Sequence, residues 1–508
     1  MVTTPVQHLI KSEDYMFKII NSQITFFVFF ILNFLFFEIF VIEAKGEEYS
    51  PLLRVELPSS PNPVGSGARA LGMSAFIAIA DDATAASWNP AGLAQLKEAE
   101  FSIVFDNTIR KEGICFEDHH EASHKKGIYF SSLNYMSLAF PLTPFNLSNR
   151  HMVISVNLQH LYEFNREWSF NYNFNNDILS WPVHHEYKQD GELYALGLAY
   201  SIAFENFSFG LTLNDWGKFI AKDLVRNQWT QTYKEKGKYI TASSPDPSGI
   251  ISNFYNEKIE TFDFKGWNWN LGFIVNLKIL NKFFYNNHQD NILDKISFGG
   301  IFKKGFTADL DHNIKRNTNS SLYNLNDMSI EKNTLKMPMS WGVGIKYLLK
   351  QGEKNELKEN VRFTGDFYVT HWKDFKYEHN SGKPVSAVTG KESNVSNTTC
   401  IRIGAEKRFI KKDAPPIFNY FDVVSYRAGL FYDPEPSEGS PDDYYGLSMG
   451  FGLYYFGSNY NCLFDLAYQY RRGTTNFLTL NIKQKTREHK VYASLIYHFN
   501  EKKVMPNY

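Results

Sequence analysis

The sequence predicts an all-β protein, a transmembrane antiparallel β-barrel of about fourteen strands whose lumen is plugged by an N-terminal segment. Three observations predict it. Period-two alternation recurs from Glu100 to Phe499, with bulky apolar residues on one face and small, polar or charged residues on the other. Aromatic residues make up 16% of 508 residues, yet mean hydropathy is only −0.35. That combination suits a barrel with aromatic girdles and apolar residues at every second strand position. Third, connections alternate between tight and long.

The N-terminus reads as an address. Ile24 to Ile42 is one apolar run, "ITFFVFFILNFLFFEIFVI", followed by Ala44, Lys45 and Gly46. Small residues at Ala44 and Gly46 fit a signal-peptidase site, so residues 1–46 are expected to be a secretory signal peptide, its true start near Met16. A retained anchor is the rival, since the run is long enough to span a bilayer. Asn33 and Glu38 within it oppose that reading, because polar groups are costly at mid-membrane.

Residues 47–99 are small, Gly/Pro-rich and poorly periodic. They do not read as wall. A barrel of this size encloses a lumen too wide for wall side chains to fill, so a compact Ala/Gly segment is expected to fill it.

Residues 100–499 read as the wall, with strands starting near Phe101, Ile128, Met152, Glu192, Phe207, Phe262, Lys295, Met337, Val361, Thr398, Asp422, Asp443, Asn461 and His489. In "HMVISVNLQ", Met152, Ile154, Val156 and Leu158 oppose Val153, Ser155, Asn157 and Gln159. In "YYGLSMGFGL", Tyr445, Leu447, Met449 and Phe451 oppose Gly446, Ser448, Gly450 and Gly452. A soluble sandwich also alternates. Strand length and the turn pattern favour the barrel: Glu205-Asn206 and Gly457 to Tyr460 are tight, whereas Asn165 to Asp190 and Gly217 to Glu260 read as long polar loops. Residues 500–508 are expected to form a periplasmic tail.

Charge excludes little else. Formal net charge is −1, from 53 basic and 54 acidic residues, with no basic stripe for nucleic acid. Cys115, Cys400 and Cys462 are far apart and lack metal-ligand spacing. The pairs His119-His120 and His184-His185 fall in polar stretches and read as surface loop. No Ser-His-Asp or phosphate-loop pattern appears, so neither an enzyme nor a cofactor is expected.

Two groups of residues are site candidates. In the N-terminal segment, Asp81 and Asp82 either pair with wall cations or cap a helix, and Asn89-Pro90 fixes a turn. In the wall, Asp366, Arg402, Glu406 and Arg427 lie opposite apolar positions. Such a cluster either ties wall to plug or anchors a ligand carboxylate.

The stretch "GSGARALGMSAFIAIADDATAASWNPAGLAQL" resembles the N-terminal hatch of FadL-type outer-membrane transporters, at Gly67, Arg69, Gly72, Ala80, Asp81, Asp82, Asn89, Pro90, Ala91 and Leu93. "MPMSWGVGIKY", "DFYVTHWKDF", "IRIGAEKRF" and "YRAGLFYDPEPSEGSPDDYYG" resemble the family's later strands and loops. The pattern departs at "GMSAF", near Ser74-Ala75. The resemblance implies a fourteen-stranded, hatch-plugged barrel in the bacterial outer membrane, probing no chemistry but passing long-chain fatty acids or aromatic hydrocarbons passively. Hatch gating would rest on Gly67, Arg69, Asp81, Asp82, Asn89, Pro90 and Ala91, with lateral release through the wall, in a monomer surrounded by outer-membrane lipid. Related barrels that bind proteins as secretion shuttles share the hatch motif, so that alternative stays open.

Overall fold

In the computed structural model the described residues are 65–116, 120, 123–142, 150–175, 179–243, 246–280, 292–320, 324–349, 360–379, 385–386, 396–410, 421–434, 443–457, 460–477 and 482–499. The signal peptide expected over 1–46, the tail over 500–508 and His119 lie outside them.

The strands, in chain order, begin with β1 (Ala99–Phe116), β2 (His124–Leu142), β3 (His151–Glu163), β4 (Arg166–Asn175), β5 (Leu179–Ala203), β6 (Phe207–Asp215) and β7 (Gln228–Ser243). They continue with β8 (Asp246–Lys265), β9 (Trp267–Asn276), β10 (Ile296–Lys303), β11 (Phe306–Ser320), β12 (Asn324–Met337), β13 (Ser340–Leu348) and β14 (Asn360–Thr370). The last are β15 (Lys376–His379), β16 (Val385–Ser386), β17 (Thr398–Ile410), β18 (Val423–Asp433), β19 (Tyr444–Phe456), β20 (Tyr460–Phe477) and β21 (Ile482–Phe499).

Fourteen of these close an antiparallel ring: β1, β2, β3, β5, β6, β9, β10, β13, β14, β17, β18, β19, β20 and β21. The ring is sealed where Ala99 to Phe116 pair with Phe499 to Ile482. The alternation seen in the sequence sorts the two faces. Val156, Leu198, Phe209, Met449 and Leu466 are exposed outward, while Ser155, Asn157, Ala199, Ser448 and Asp465 are buried. This is the polarity of a lipid-facing barrel. The tight connections at Glu205-Asn206 and Gly457 close with backbone bonds Phe204 N–H to Phe207 O (2.7 Å) and Gly457 N–H to Tyr460 O (2.9 Å).

The structure corrects the long loops. Asn165 to Asp190 and Gly217 to Glu260 are largely strand. Together β4, the first half of β5, β7, β8, β11, β12, β15 and β16 form an outer tier above the ring. The physical reason is that Trp229, Gln231 and Tyr233 still alternate with Thr230, Thr232 and Lys234, and the Trp, Tyr and Thr residues among them favour pleated backbone. Their polarity masked that periodicity. His184 and His185 therefore sit on β5 rather than in a loop. The expected starts at Phe262 and Met337 also fall in the outer tier; the ring strands begin after breaks at Gly266 and at Pro338-Met339. β5 serves both tiers and bends at Gly191, whose φ of 150° places a hypothetical Cβ 2.4 Å from Trp229 Cα.

Residues Gly65 to Leu96 fill the ring. They form helix α1 (Ala68–Met73) and two 3₁₀ turns, Ala83–Ser87 and Pro90–Gln95. Helix α1 stops where Ser74 turns left-handed (φ 57°). It packs on β17 to β21, whereas the two turns pack on β1, β2, β3, β5, β6 and β9. Small residues permit this close fit: a Cβ on Gly404 would lie 1.8 Å from the Met73 carbonyl oxygen.

Candidate functional site

Asp82 and Asn89 are fixed by local chemistry. Asp82 Oδ1 accepts the Thr84 N–H (2.9 Å) and so caps the turn Ala83–Ser87. Asn89 Oδ1 accepts the Ala91 N–H (3.2 Å), capping Pro90–Gln95. Its Nδ2 donates to Ile77 O (2.7 Å) and across to Phe273 O on the wall (3.2 Å). Pro90 occupies the first position of its turn, where a missing N–H costs nothing. Ala91 O accepts from Ser201 Oγ on the wall (3.2 Å). Gly67 packs against Thr84.

Asp81 does something different from its neighbour. It pairs with Arg69 of its own segment and with Arg362 of β14 (3.2 Å). Burial pushes the Asp81 carboxyl up, but Arg69, Arg362 and Arg408 outweigh it and hold the group down at about 2. At Asp82 burial prevails and the carboxyl is raised.

Arg69 continues to the wall, its Nε 3.2 Å from Glu406 Oε1. Glu406 also meets Arg427 Nε (2.8 Å) and Arg408 Nη2 (3.2 Å), and Arg427 reaches Asp465. The structure thus brings Arg69, Asp81, Glu406 and Arg427 into one buried network. Asp366 stands apart from it: its Oδ2 accepts the backbone N–H groups of Phe76 (2.6 Å) and Ile77 (3.0 Å). Arg402 is also elsewhere, paired with Asp433 (3.0 Å) over the Phe431 ring (5.0 Å).

Sequence reasoning missed Arg362, Arg408 and Asp465. The signal was present, because Arg362 shares the inward face of β14 with Asp366, and Arg408 that of β17 with Glu406. It also missed the cavity beyond the inner segment. Trp88 forms its floor, and Tyr162, Trp216, Phe306 and Tyr368 are among its walls. Lys303 Nζ lies 4.0 Å from the centroid of the Trp88 ring, a cation–π distance. Further out, the stacked rings of Phe164, between β3 and β4, and of Trp229, Phe262 and His312 on β7, β8 and β11 follow one another at centroid spacings of 4.4, 4.7 and 4.2 Å. The stacked rings are far apart in sequence and are brought together by the pairing of β7 with β8 and of β8 with β11.

No protein-family model matches the chain, and no curated protein matches it. Solved structures do. A FadL homologue of Pseudomonas aeruginosa aligns at TM-score 0.50 with 12% identity, over 88% of this chain and 100% of that one. The Ralstonia pickettii toluene transporter TbuX aligns at 0.47 with 10% identity, over 86% of this chain and 100% of that one. The Pseudomonas putida toluene transporter TodX aligns at 0.47 with 13% identity, over 86% and 99%. The strand ring and the P. aeruginosa alignment agree: the chain has the fold of a FadL-type barrel.

Proposed function

We propose that the chain is a passive outer-membrane transporter for hydrophobic compounds such as long-chain fatty acids or aromatic hydrocarbons. In this reading residues 1–46 direct export, residues 47–99 are the hatch, and residues 100–499 are the wall. The observation that carries it is the cavity ending on Trp88 of the buried inner segment, where the rings of Tyr162, Trp216, Phe306 and Tyr368 stand among polar side chains such as Asn214, Lys303 and Arg471. An apolar solute gains by leaving water for such a pocket, with a few polar groups to orient it. It advances only when the segment beneath shifts, and a ligand drives that shift to the extent that it binds the shifted state better. Release then occurs sideways through the wall into lipid. No covalent chemistry is involved.

The second reading is a non-transporting barrel that serves protein partners. The buried ion pairs favour it, since Arg110, Glu163, Arg471 and Glu488 form a second luminal network beside that of Glu406. Uptake of labelled oleate and toluene separates the two, in cells lacking their own transporter. The intact protein is compared with a variant whose Asn89-Pro90-Ala91 turn is replaced by glycines, at equal outer-membrane amounts. Uptake by the intact protein that the variant alters supports transport. No uptake of either compound by a correctly assembled barrel overturns it.

A further inference from the structure

Between β6 and β7 the chain leaves the wall. Gly217 turns at φ 81°, and Asp215 accepts the N–H groups of Lys218 (2.8 Å), Phe219 (3.1 Å) and Ala221 (2.9 Å) to hold the excursion. Ala221 and Val225 fold under it and are buried. Phe219, Ile220 and Leu224 instead point away, at 61, 80 and 69% exposure. Exposing three large apolar side chains on twelve residues of a water-facing loop is unfavourable, so their surroundings matter.

The level of the excursion identifies those surroundings. Below it on the outer face lie Phe209 and Leu213 of β6 and Leu271 of β9, all exposed and apolar. From Phe207 to Asp215, β6 climbs about 26 Å along its axis and roughly 20 Å along the barrel axis at ordinary tilt. That approaches the height of a lipid-facing band, about 25 Å. Above the excursion the outer face is charged: Lys265 pairs with Asp311 (3.6 Å), and Lys218 reaches Asp309 (2.9 Å). At the same level Trp267 is exposed, with Lys304 Nζ 5.9 Å from its ring centroid. A Trp beside a Lys at the end of an apolar band is the chemistry of a membrane–water boundary. Lys222 and Arg226 are exposed on the excursion, against one exposed acid of its own, Asp223.

We infer that residues 216–227 are a lipid-binding foot: Phe219, Ile220 and Leu224 enter the edge of the acyl layer, and Lys222, Arg226 and Lys304 bind the phosphates of anionic lipid headgroups. The inference rests on the barrel being membrane-embedded, but not on its transporting anything. The foot would fix the height of the wall in the bilayer on the side that carries the aromatic cavity.

The test uses the full chain, with Cys115, Cys400 and Cys462 replaced by serine and its heat-modifiable gel migration shown to match the parent. An environment-sensitive fluorophore is placed at Ile220→Cys or, as a control, at Met328→Cys, an outer-tier position 71% exposed. Each protein is reconstituted in phosphatidylcholine vesicles with and without headgroup-spin-labelled phosphatidylglycerol. The label at 220 is expected to be quenched by the spin-labelled lipid and shielded from aqueous iodide, and the label at 328 the reverse. Adding Lys222→Gln and Arg226→Gln is expected to raise the phosphatidylglycerol needed for half-quenching by roughly fivefold per residue removed. Equal iodide quenching at both positions overturns the foot. So does an unchanged phosphatidylglycerol requirement in the double variant, or cross-linking of position 220 to a second copy. Oleate and toluene uptake is measured on the same variants and is expected to stay within threefold of the parent. Loss of uptake with position 220 open to iodide assigns the excursion to solute capture and overturns the foot, whereas absent uptake with normal lipid quenching removes transport and leaves the foot standing.

Discussion

Replacing Asp81 by asparagine removes the carboxylate that Arg69 and Arg362 share. Both arginines are buried, so removing it leaves two desolvated cations short of a partner. Breaking a buried pair costs about 3–5 kcal/mol. Arg69 keeps Glu406 at 3.2 Å and has Asp82 at 3.7 Å, which places the loss at the lower end. About 3 kcal/mol is roughly 150-fold in the ratio of docked to undocked inner segment. Backbone hydrogen exchange reads that ratio directly. The amide of Leu71, bonded to Gly67 O within α1, is expected to exchange about 100-fold faster in Asp81→Asn, while that of Gly92, in the turn held by neutral bonds, and wall amides such as that of Tyr426 keep the parent rate. The pH dependence follows from sign. The folded carboxyl is depressed to about 2, against about 3.9 in an unfolded chain. Its contribution is therefore fully present above about 4 and is lost as pH falls through about 2. The difference between parent and variant must stay flat from about pH 8 to 5. A rise in exchange below threefold, or a difference that titrates near pH 6, would refute the assignment of Asp81 as a tie between segment and wall.

Gly404→Ala drives a Cβ to within 1.8 Å of the Met73 carbonyl oxygen, whereas Gly365→Ala meets nothing nearer than 3.6 Å. The first is expected to cost about 3 kcal/mol in thermal unfolding and the second under about 0.5 kcal/mol; equal midpoints contradict the packing. Asn89→Ala loses a cap worth about 1 kcal/mol and two further hydrogen bonds of similar worth, so the midpoint of the Pro90–Gln95 region by exchange is expected to fall while that around α1 does not. Lys303→Met removes the amine beside Trp88 and is expected to lower oleate uptake about tenfold while leaving toluene within threefold, because only oleate carries a carboxyl group for that amine to bind. A disulfide formed from Ser74→Cys and Ser448→Cys, whose hydroxyls stand 2.7 Å apart, is expected to leave uptake within about twofold on oxidation, as argued below for α1; loss on oxidation that reductant restores refutes that expectation.

The ring was legible because an exposed apolar outer face and packed polar groups inside impose a strict period of two. That is why "YYGLSMGFGL" already separates Met449 from Gly450, and why Gly450 proves to abut Gly72. The outer tier was obscure for the converse reason. Its outward face meets water, so Thr232 and Lys234 dilute the apolar signal around Tyr233 until it resembles a loop. Asp81, Glu406 and Arg427 stood out as charges in small or apolar settings, and Arg69 through the resemblance of its stretch to a hatch. Their partition into one network, with Asp366 and Arg402 outside it, depends on strand register across the ring. No local pattern encodes that register.

The inner segment is held in two unlike ways, and this bears on how it would move. Helix α1 is bound to the wall by ion pairs through Arg69 and by Ser74 against Ser448. The turn Pro90–Gln95 is bound by neutral hydrogen bonds from Asn89 to Phe273 O and from Ser201 to Ala91 O. Undocking the first leaves buried charges without partners, at several kcal/mol; undocking the second forfeits neutral bonds of about 1 kcal/mol each. Trp88, the cavity floor, closes the turn Ala83–Ser87 and is followed directly by Asn89. In the proposed transport reading, a solute resting on Trp88 would press on the weakly held end, and a modest difference in affinity would shift that end while α1 stayed seated as its fixed point.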